Sequence, residues 1–318
     1  MKVKPPILQQ YELQPASLEI PVDWEQVFGR KAPIRVEIGF GNGGALVWCA
    51  QKNPAVNYVG FELPKDCILR STARLWRAKV PHARVICGDA RYLLRELFAP
   101  ASVEKVLMQF PMPWPKEKHA KHRVYSPRFA TSLAHVLKLN GCFELVTDQK
   151  GYAQETENIL SAHPSFTVDP LEVNPPRPYK TRYEEKWLEE GRSIFRVVAT
   201  LQENVPAHRF LIQEPMETKH LSFLPTEADL RPLLQTTFRE EDSVFQIKDL
   251  FKADDGWLLD VVSSDESFSQ RFLLRILEKN DGRILVRPSE IQAPYYSEAV
   301  RFGIQSVIDT LISAQSQG

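Results

Sequence analysis

Between residues 34 and 162, short β-branched or apolar runs alternate with helical stretches, and this alternation limits the possible folds more than any other feature of the chain. Residues 34–38, 58–61, 84–87, 103–110 and 141–146 read as strands. The stretch through Leu46, Val47 and Ala50 reads as helical, as do 64–78, 90–98, 127–137 (with Ser126 as N-cap) and 152–162. Residues 165–169 and 193–201 add two further strands. Such alternation predicts an α/β, Rossmann-like fold: a parallel sheet with helices on both faces. Ligands of these sheets sit beyond the carboxyl ends of the strands. The residues expected to carry chemistry are therefore Glu37-Ile38-Gly39-Phe40-Gly41, Phe61-Glu62, Cys87-Gly88-Asp89, Phe110 to Lys116, and Thr147-Asp148.

The flanking regions differ in texture. Residues 1–33 are proline-spotted and read as an N-terminal arm, with the α/β domain at 34–204. Residues 205–318 read as a small α+β domain of unknown role, with strands at 244–251, 257–262, 272–278 and 283–286 and a terminal amphipathic helix at 297–314. Asp254-Asp255-Gly256 and Asn280-Asp281-Gly282 are hairpin turn signals. The charge is split unevenly. Residues 1–204 hold 28 Lys and Arg against 22 Asp and Glu, while 205–318 hold 12 against 18. The first part can attract a phosphate backbone, and the second would repel one unless its basic groups cluster. No window is long and apolar enough for a bilayer and no signal peptide is evident, so a soluble, cytoplasmic protein is expected. Cys49, Cys67, Cys87 and Cys142 lack metal-ligand spacing, so no metal is expected and the thiols are expected to be buried and reduced.

The glycine cluster Gly39-Phe40-Gly41-Asn42-Gly43-Gly44 matches the G-x-G-x-x-G of dinucleotide sites, and an acid, Glu62, follows the next strand. A nicotinamide or flavin enzyme is therefore one reading. Glu37, two residues before the glycines, argues for another. A carboxylate there would repel a pyrophosphate, whereas S-adenosylmethionine offers an ammonium and a sulfonium that the acid can help hold. Glu62 can take a ribose diol in either case. Asp89 and Ala90, after the third strand, suit an adenine edge.

The stretch Phe110-Pro111-Met112-Pro113-Trp114-Pro115-Lys116 cannot continue a strand or start a helix. It reads as a stiff aromatic platform opening into a basic loop with His119, Lys121, His122 and Arg123, suited to a polyanion and a base. The plainer alternative is a proline-rich turn with a solvated charge run. Together with Glu37 to Gly41, Gly60-Phe61-Glu62, Gly88-Asp89-Ala90, Thr147-Asp148 and Arg177-Pro178-Tyr179-Lys180-Thr181-Arg182-Tyr183-Glu184, this stretch resembles the bacterial tRNA (guanine-N7)-methyltransferase family over roughly residues 34–200.

That resemblance implies a class I S-adenosylmethionine-dependent methyltransferase domain acting on a guanine in the variable loop of tRNA. It implies cofactor contacts from Glu37, Gly39, Gly41, Glu62, Asp89, Ala90 and Phe110. Target contacts would come from Lys116, Lys121, Arg123, Asp148, Thr181, Arg182, Tyr183 and Glu184, with Asp148 orienting the guanine. The chain would work as a monomer or homodimer, with tRNA as its partner and no membrane. At one position the chain departs from the pattern: the family usually reads Phe-Pro-Asp-Pro-Trp-Pro-Lys, and its catalytic aspartate position is Met112 here. A non-catalytic module that holds tRNA or S-adenosylmethionine is the alternative which this substitution leaves open.

Overall fold

The structure, a computed structural model, describes residues 9–15, 18–112, 125–214, 216–266, 268–290 and 293–316. The chain separates into two compact units, Met1–Arg209 and Phe210–Gly318, a boundary five residues beyond the one read from composition.

In the first unit the strands are β1 (Glu12–Leu13), β2 (Ile34–Ile38), β3 (Asn57–Glu62), β4 (Ala83–Cys87), β5 (Val103–Gln109), β6 (Leu137–Thr147), β7 (Phe166–Val168), β8 (Glu172–Val173) and β9 (Phe195–Leu201). The helices are α1 (Trp24–Phe28), α2 (Gly44–Lys52), α3 (Lys65–Arg77), α4 (Ala90–Leu97), α5 (Pro127–Val136), α6 (Lys150–Ala162) and α7 (Arg182–Glu189). The sheet order is β1-β4-β3-β2-β5-β6-β9-β7, with β8 also on β9. Strand order reverses between β2 and β5, where a sheet of this kind opens its ligand crevice.

The expected parallel sheet is present from β1 to β6, with one correction. β9 runs antiparallel to β6, and β7 and β8 antiparallel to β9. The cause is the route of the chain. Phe195 pairs with Thr147, at the carboxyl end of β6, so β9 must run back down the sheet. The same route carries residues 174–194 across the end of the sheet where a ligand would bind. The arm is also more ordered than its prolines suggest, because Glu12 and Leu13 pair in parallel with Val85 and Ile86 on β4.

Apolar packing fixes these strand ends in place. Leu46, Val47, Ala50, Ile68 and Leu75 from α2 and α3 cluster with Tyr58, Val85 and Phe40. Trp24 stacks on Phe98 at 4.8 Å, and Phe98 meets Phe61 at 6.3 Å. Burying each such side chain stabilises the fold by roughly 1.5–3 kcal/mol. The four cysteines are free but half-buried rather than buried. Each still lies close enough to apolar surroundings that burial raises its pKa, Cys49 to about 11, so these thiols stay protonated.

The second unit is a six-stranded antiparallel sheet made of β10 (Lys219–Leu221), β11 (Thr237–Glu240), β12 (Ser243–Ala253), β13 (Gly256–Asp265), β14 (Phe268–Glu278) and β15 (Ile284–Pro288), in the order β10-β15-β14-β13-β12-β11. Between β10 and β11 lie α8 (Glu227–Leu230) and a 3-10 turn at Arg231–Gln235, and the unit ends with α9 (Glu298–Ser316). Val300, Ile304, Val307, Ile308 and Leu311 form the buried stripe of α9, at helical spacing, against Phe245, Ile247 and Val261. At Gly303 helix and sheet nearly touch: a Cβ there would lie 1.9 Å from the Phe245 ring.

Candidate active site

The carboxyl ends of β2 to β5 surround a cavity of about 270 Å³. Its walls include Gly39, Glu62, Asp89, Ala90, Met108 and Met112. Gly39 and Gly41 adopt φ of +73° and +55°, a left-handed backbone that other residues occupy only under strain. Space is open where a Cβ would stand at either glycine, so the loop leaves room for a ligand against its backbone. Glu62 holds the loop in this shape. Its Oε2 accepts from Gly41 N at 2.8 Å and its Oε1 from Leu63 N at 3.0 Å. Backbone bonds stitch the neighbouring strand ends together, Gly39 N to Phe61 O at 2.9 Å and Gly88 N to Glu62 O at 3.0 Å.

Asp89 caps α4, accepting from Arg91 N at 3.0 Å. The Arg91 side chain also grips this carboxylate, with Nε 3.0 and 3.1 Å from its two oxygens. Asp89 thus meets the cavity already partnered, and Arg91 brings a second group that the sequence reading did not assign.

Glu37, on β2, is not among the cavity's walls and is 5% exposed. Among the described residues its carboxylate accepts one bond, from Gln109 Nε2 at 3.1 Å. Gln109 Oε1 accepts from Arg177, whose other nitrogen donates to Glu184. Glu184 also takes Thr181 N at 3.2 Å, while Glu184 N donates to Thr181 Oγ1 at 3.1 Å, a reciprocal cap that starts α7. Burial pushes the Glu37 pKa up to about 7. The Gln109 bond and the more distant Arg177 charge oppose the rise, and Glu62 adds to it.

Phe110 sits where β5 ends, with φ of +49° and its N donating to Val146 O at 2.7 Å. A bulky residue in that region is strained, and such strain gathers at functional sites. The turn separates two roles. Pro111 and Met112 line the cavity, with Met112 66% exposed. The Phe110 ring instead packs edge-on against Trp187 at 5.1 Å and lies 5.7 Å from the Arg177 guanidinium.

The structure therefore divides the expected site residues. Gly39, Glu62, Asp89, Ala90 and Met112 line the cavity. Glu37, Gly41 and Phe110 are not among its walls. Asp148, at the end of β6, accepts from Gln149 Nε2 at 2.7 Å and pairs with Arg192 at 3.4 Å. Thr181 and Glu184 anchor the 177–184 segment through Arg177. The Arg182 and Tyr183 side chains, and Lys116, Lys121, Arg123 and Trp114, lie outside the described residues. Gln109, Arg91, Trp187 and Arg192 were not assigned from sequence. Only Gln109 carried a signal: an amide ending the apolar run Val106-Leu107-Met108 must find partners if the strand is buried.

The walls fit S-adenosylmethionine. The acids Glu62 and Asp89 stand on the cavity's walls at the ends of β3 and β4, a pair suited to a cation and a ribose diol, and the open glycine backbone leaves space for the ligand. A family model described as "Putative methyltransferase" matches residues 31–197. A tRNA (guanine-N(7)-)-methyltransferase of Thermotoga maritima is 34% identical over 98% of this chain and 99% of its own length. One of Thermus thermophilus is 27% identical over 92% of this chain and 93% of its own. A solved 16S rRNA methyltransferase is more distant, at 12% identity and a TM-score of 0.43 over 57% of this chain and 93% of its own, too loose to bear on the assignment. On the family model and the near full-length relatives, the chain belongs to the tRNA (guanine-N(7)-)-methyltransferase family.

Proposed function

We propose that this chain methylates N7 of a guanine in the variable loop of tRNA, giving N7-methylguanosine. The observation that carries the reading is the glycine-walled cavity at the strand-order reversal, with Glu62 and Asp89 on its walls, in a chain related over nearly its whole length to enzymes of that name. S-adenosylmethionine supplies an electrophilic methyl on a sulfonium.

The rest of the chemistry is positioning. Guanine N7 has an available lone pair and no proton, so no general base is needed, and alignment of the reacting groups supplies most of the rate. Glu62 fixes the loop that receives the cofactor. Asp148, held by Gln149 and Arg192, orients the guanine and stabilises the positive charge that grows on the base. Met112 brings no charge to this task, which weakens electrostatic stabilisation without removing the mechanism. The 177–184 segment and the basic stretch with Lys116, Lys121 and Arg123 meet the tRNA.

The enzyme acts in the cytoplasm as a monomer or homodimer, and light scattering of the purified protein distinguishes these two states. Incubating it with labelled S-adenosylmethionine and unmodified tRNA should yield N7-methylguanosine on nucleoside digestion. Label that appears only on another base, or on none, would refute the reading.

A further inference from the structure

From Glu37, two residues before the cavity-lining Gly39, to the segment assigned to the target guanine runs an unbroken line of buried polar groups. Glu37 is 5% exposed, Gln109 7% and Glu184 2%, and the Arg177 side chain is 8% exposed. Each bond in the line has a fixed sense. Glu37 accepts from the Gln109 amide N–H, the Gln109 carbonyl accepts from Arg177, and Arg177 donates to Glu184. The line crosses from β2 to β5 at the strand-order reversal and ends at the cap of α7.

Gln109 is the only neutral member. Its carbonyl faces a guanidinium and its N–H faces a carboxylate. Turning the amide over would set donor against donor and acceptor against acceptor, so the charges on either side hold it in place. Arg177 is in turn held by two acceptors, and Glu184 is tied to Thr181 N.

We infer that Gln109 is a positioning residue through which cofactor binding sets the 177–184 segment, so that S-adenosylmethionine and tRNA each strengthen the binding of the other. The inference rests on the methyltransferase reading above. A cation entering beside Gly39 favours the charged form of Glu37 and strengthens its bond from Gln109. Arg177 and the cap of α7 are then held in the geometry that receives the base. Because coupling between sites is reciprocal, tRNA must tighten the cofactor by the same factor.

The test uses the full chain and S-adenosylhomocysteine, which keeps the ammonium but transfers no methyl. Its dissociation constant is measured by calorimetry with and without saturating tRNA. The wild-type constant should fall by about fivefold or more when tRNA is present, within the usual range of coupling. In Gln109→Met, which has similar volume but no bond to either neighbour, the two constants should agree to within about twofold while each ligand still binds alone. Arg177→Lys, which loses the forked geometry, should also reduce the ratio and serves if Gln109→Met does not fold. A wild-type ratio near one would overturn the inference, as would an undiminished ratio in a folded variant. If the wild type binds neither ligand, the methyltransferase reading itself fails, which is a separate result.

Discussion

Glu37 and Glu144 stand in one row of the first sheet, both aligned with Leu107 on the strand between them. They are almost equally buried, at 5% and 9% exposure. Burial alone would raise the pKa of both. For Glu144, attraction to Lys105 and bonds from Arg196 and Lys105 outweigh it, and the carboxyl is held below its ordinary range. Glu37 has one neutral amide and no cation in contact among the described residues, and its pKa rises to about 7. An acid that serves the fold comes with its own cations. Glu37 is left short of one, a deficit that a positively charged ligand would fill if it binds beside β2 as proposed.

The largest effect that would sharpen this comparison is at Glu62. Glu62→Ala removes the charged hydrogen bond that holds Gly41 of the loop, together with the one from Leu63 N, and should weaken S-adenosylhomocysteine by on the order of 100-fold. A loss below about tenfold in calorimetry would leave the loop without its supposed clamp. Next, Arg196→Met should cost about 2 kcal/mol in denaturant unfolding, because Glu144 loses a charged partner. Cofactor affinity should not change, and a matching loss there would break the division between the two acids.

The third test is pH. Because the Glu37 pKa in the folded chain is raised, its contribution to stability is complete below its ordinary carboxylate range and is lost as pH rises through about 7. A cationic ligand prefers the charged form, so affinity should move the opposite way, rising about tenfold between about pH 6 and about pH 8 with proton release on the acidic side. Glu37→Gln should flatten this profile, and a flat wild-type profile would remove the contrast with Glu144. The smallest effect is expected from Met112→Asp. That position is 66% exposed, so solvent screens a new charge, and kcat should rise by only a few-fold with little change in cofactor affinity. A rise of about 1000-fold would mean that the missing carboxylate had limited the reaction after all.

The cavity's position was legible in sequence where a residue stands at a strand end. Gly39, Glu62 and Asp89 belong to that class, because periodicity located the strands and the fold type located their working ends. Antiparallel β9 was not legible, since a strand reads the same in either direction and only the chain's route sets its sense. The partners Arg177 and Gln109 lie 68 residues apart, and Arg192 and Asp148 lie 44 apart. No local pattern links such pairs; each is made by the return of the chain across the end of the sheet. Glu37 was placed at a strand end, but its 5% exposure was not legible, because sequence distinguishes a strand end from its interior and not one depth from the next.

The two-residue strand β1 has a consequence for how the protein survives before it binds anything. By pairing with Val85 and Ile86 it covers the outer rim of β4, whose free backbone groups would otherwise offer a template for another chain. The family-model match begins at residue 31, so a fragment cut to that boundary would keep every residue assigned to the cofactor and lose this cover. Such a fragment should associate rim to rim as its concentration rises, a solubility defect in a protein with an intact catalytic site.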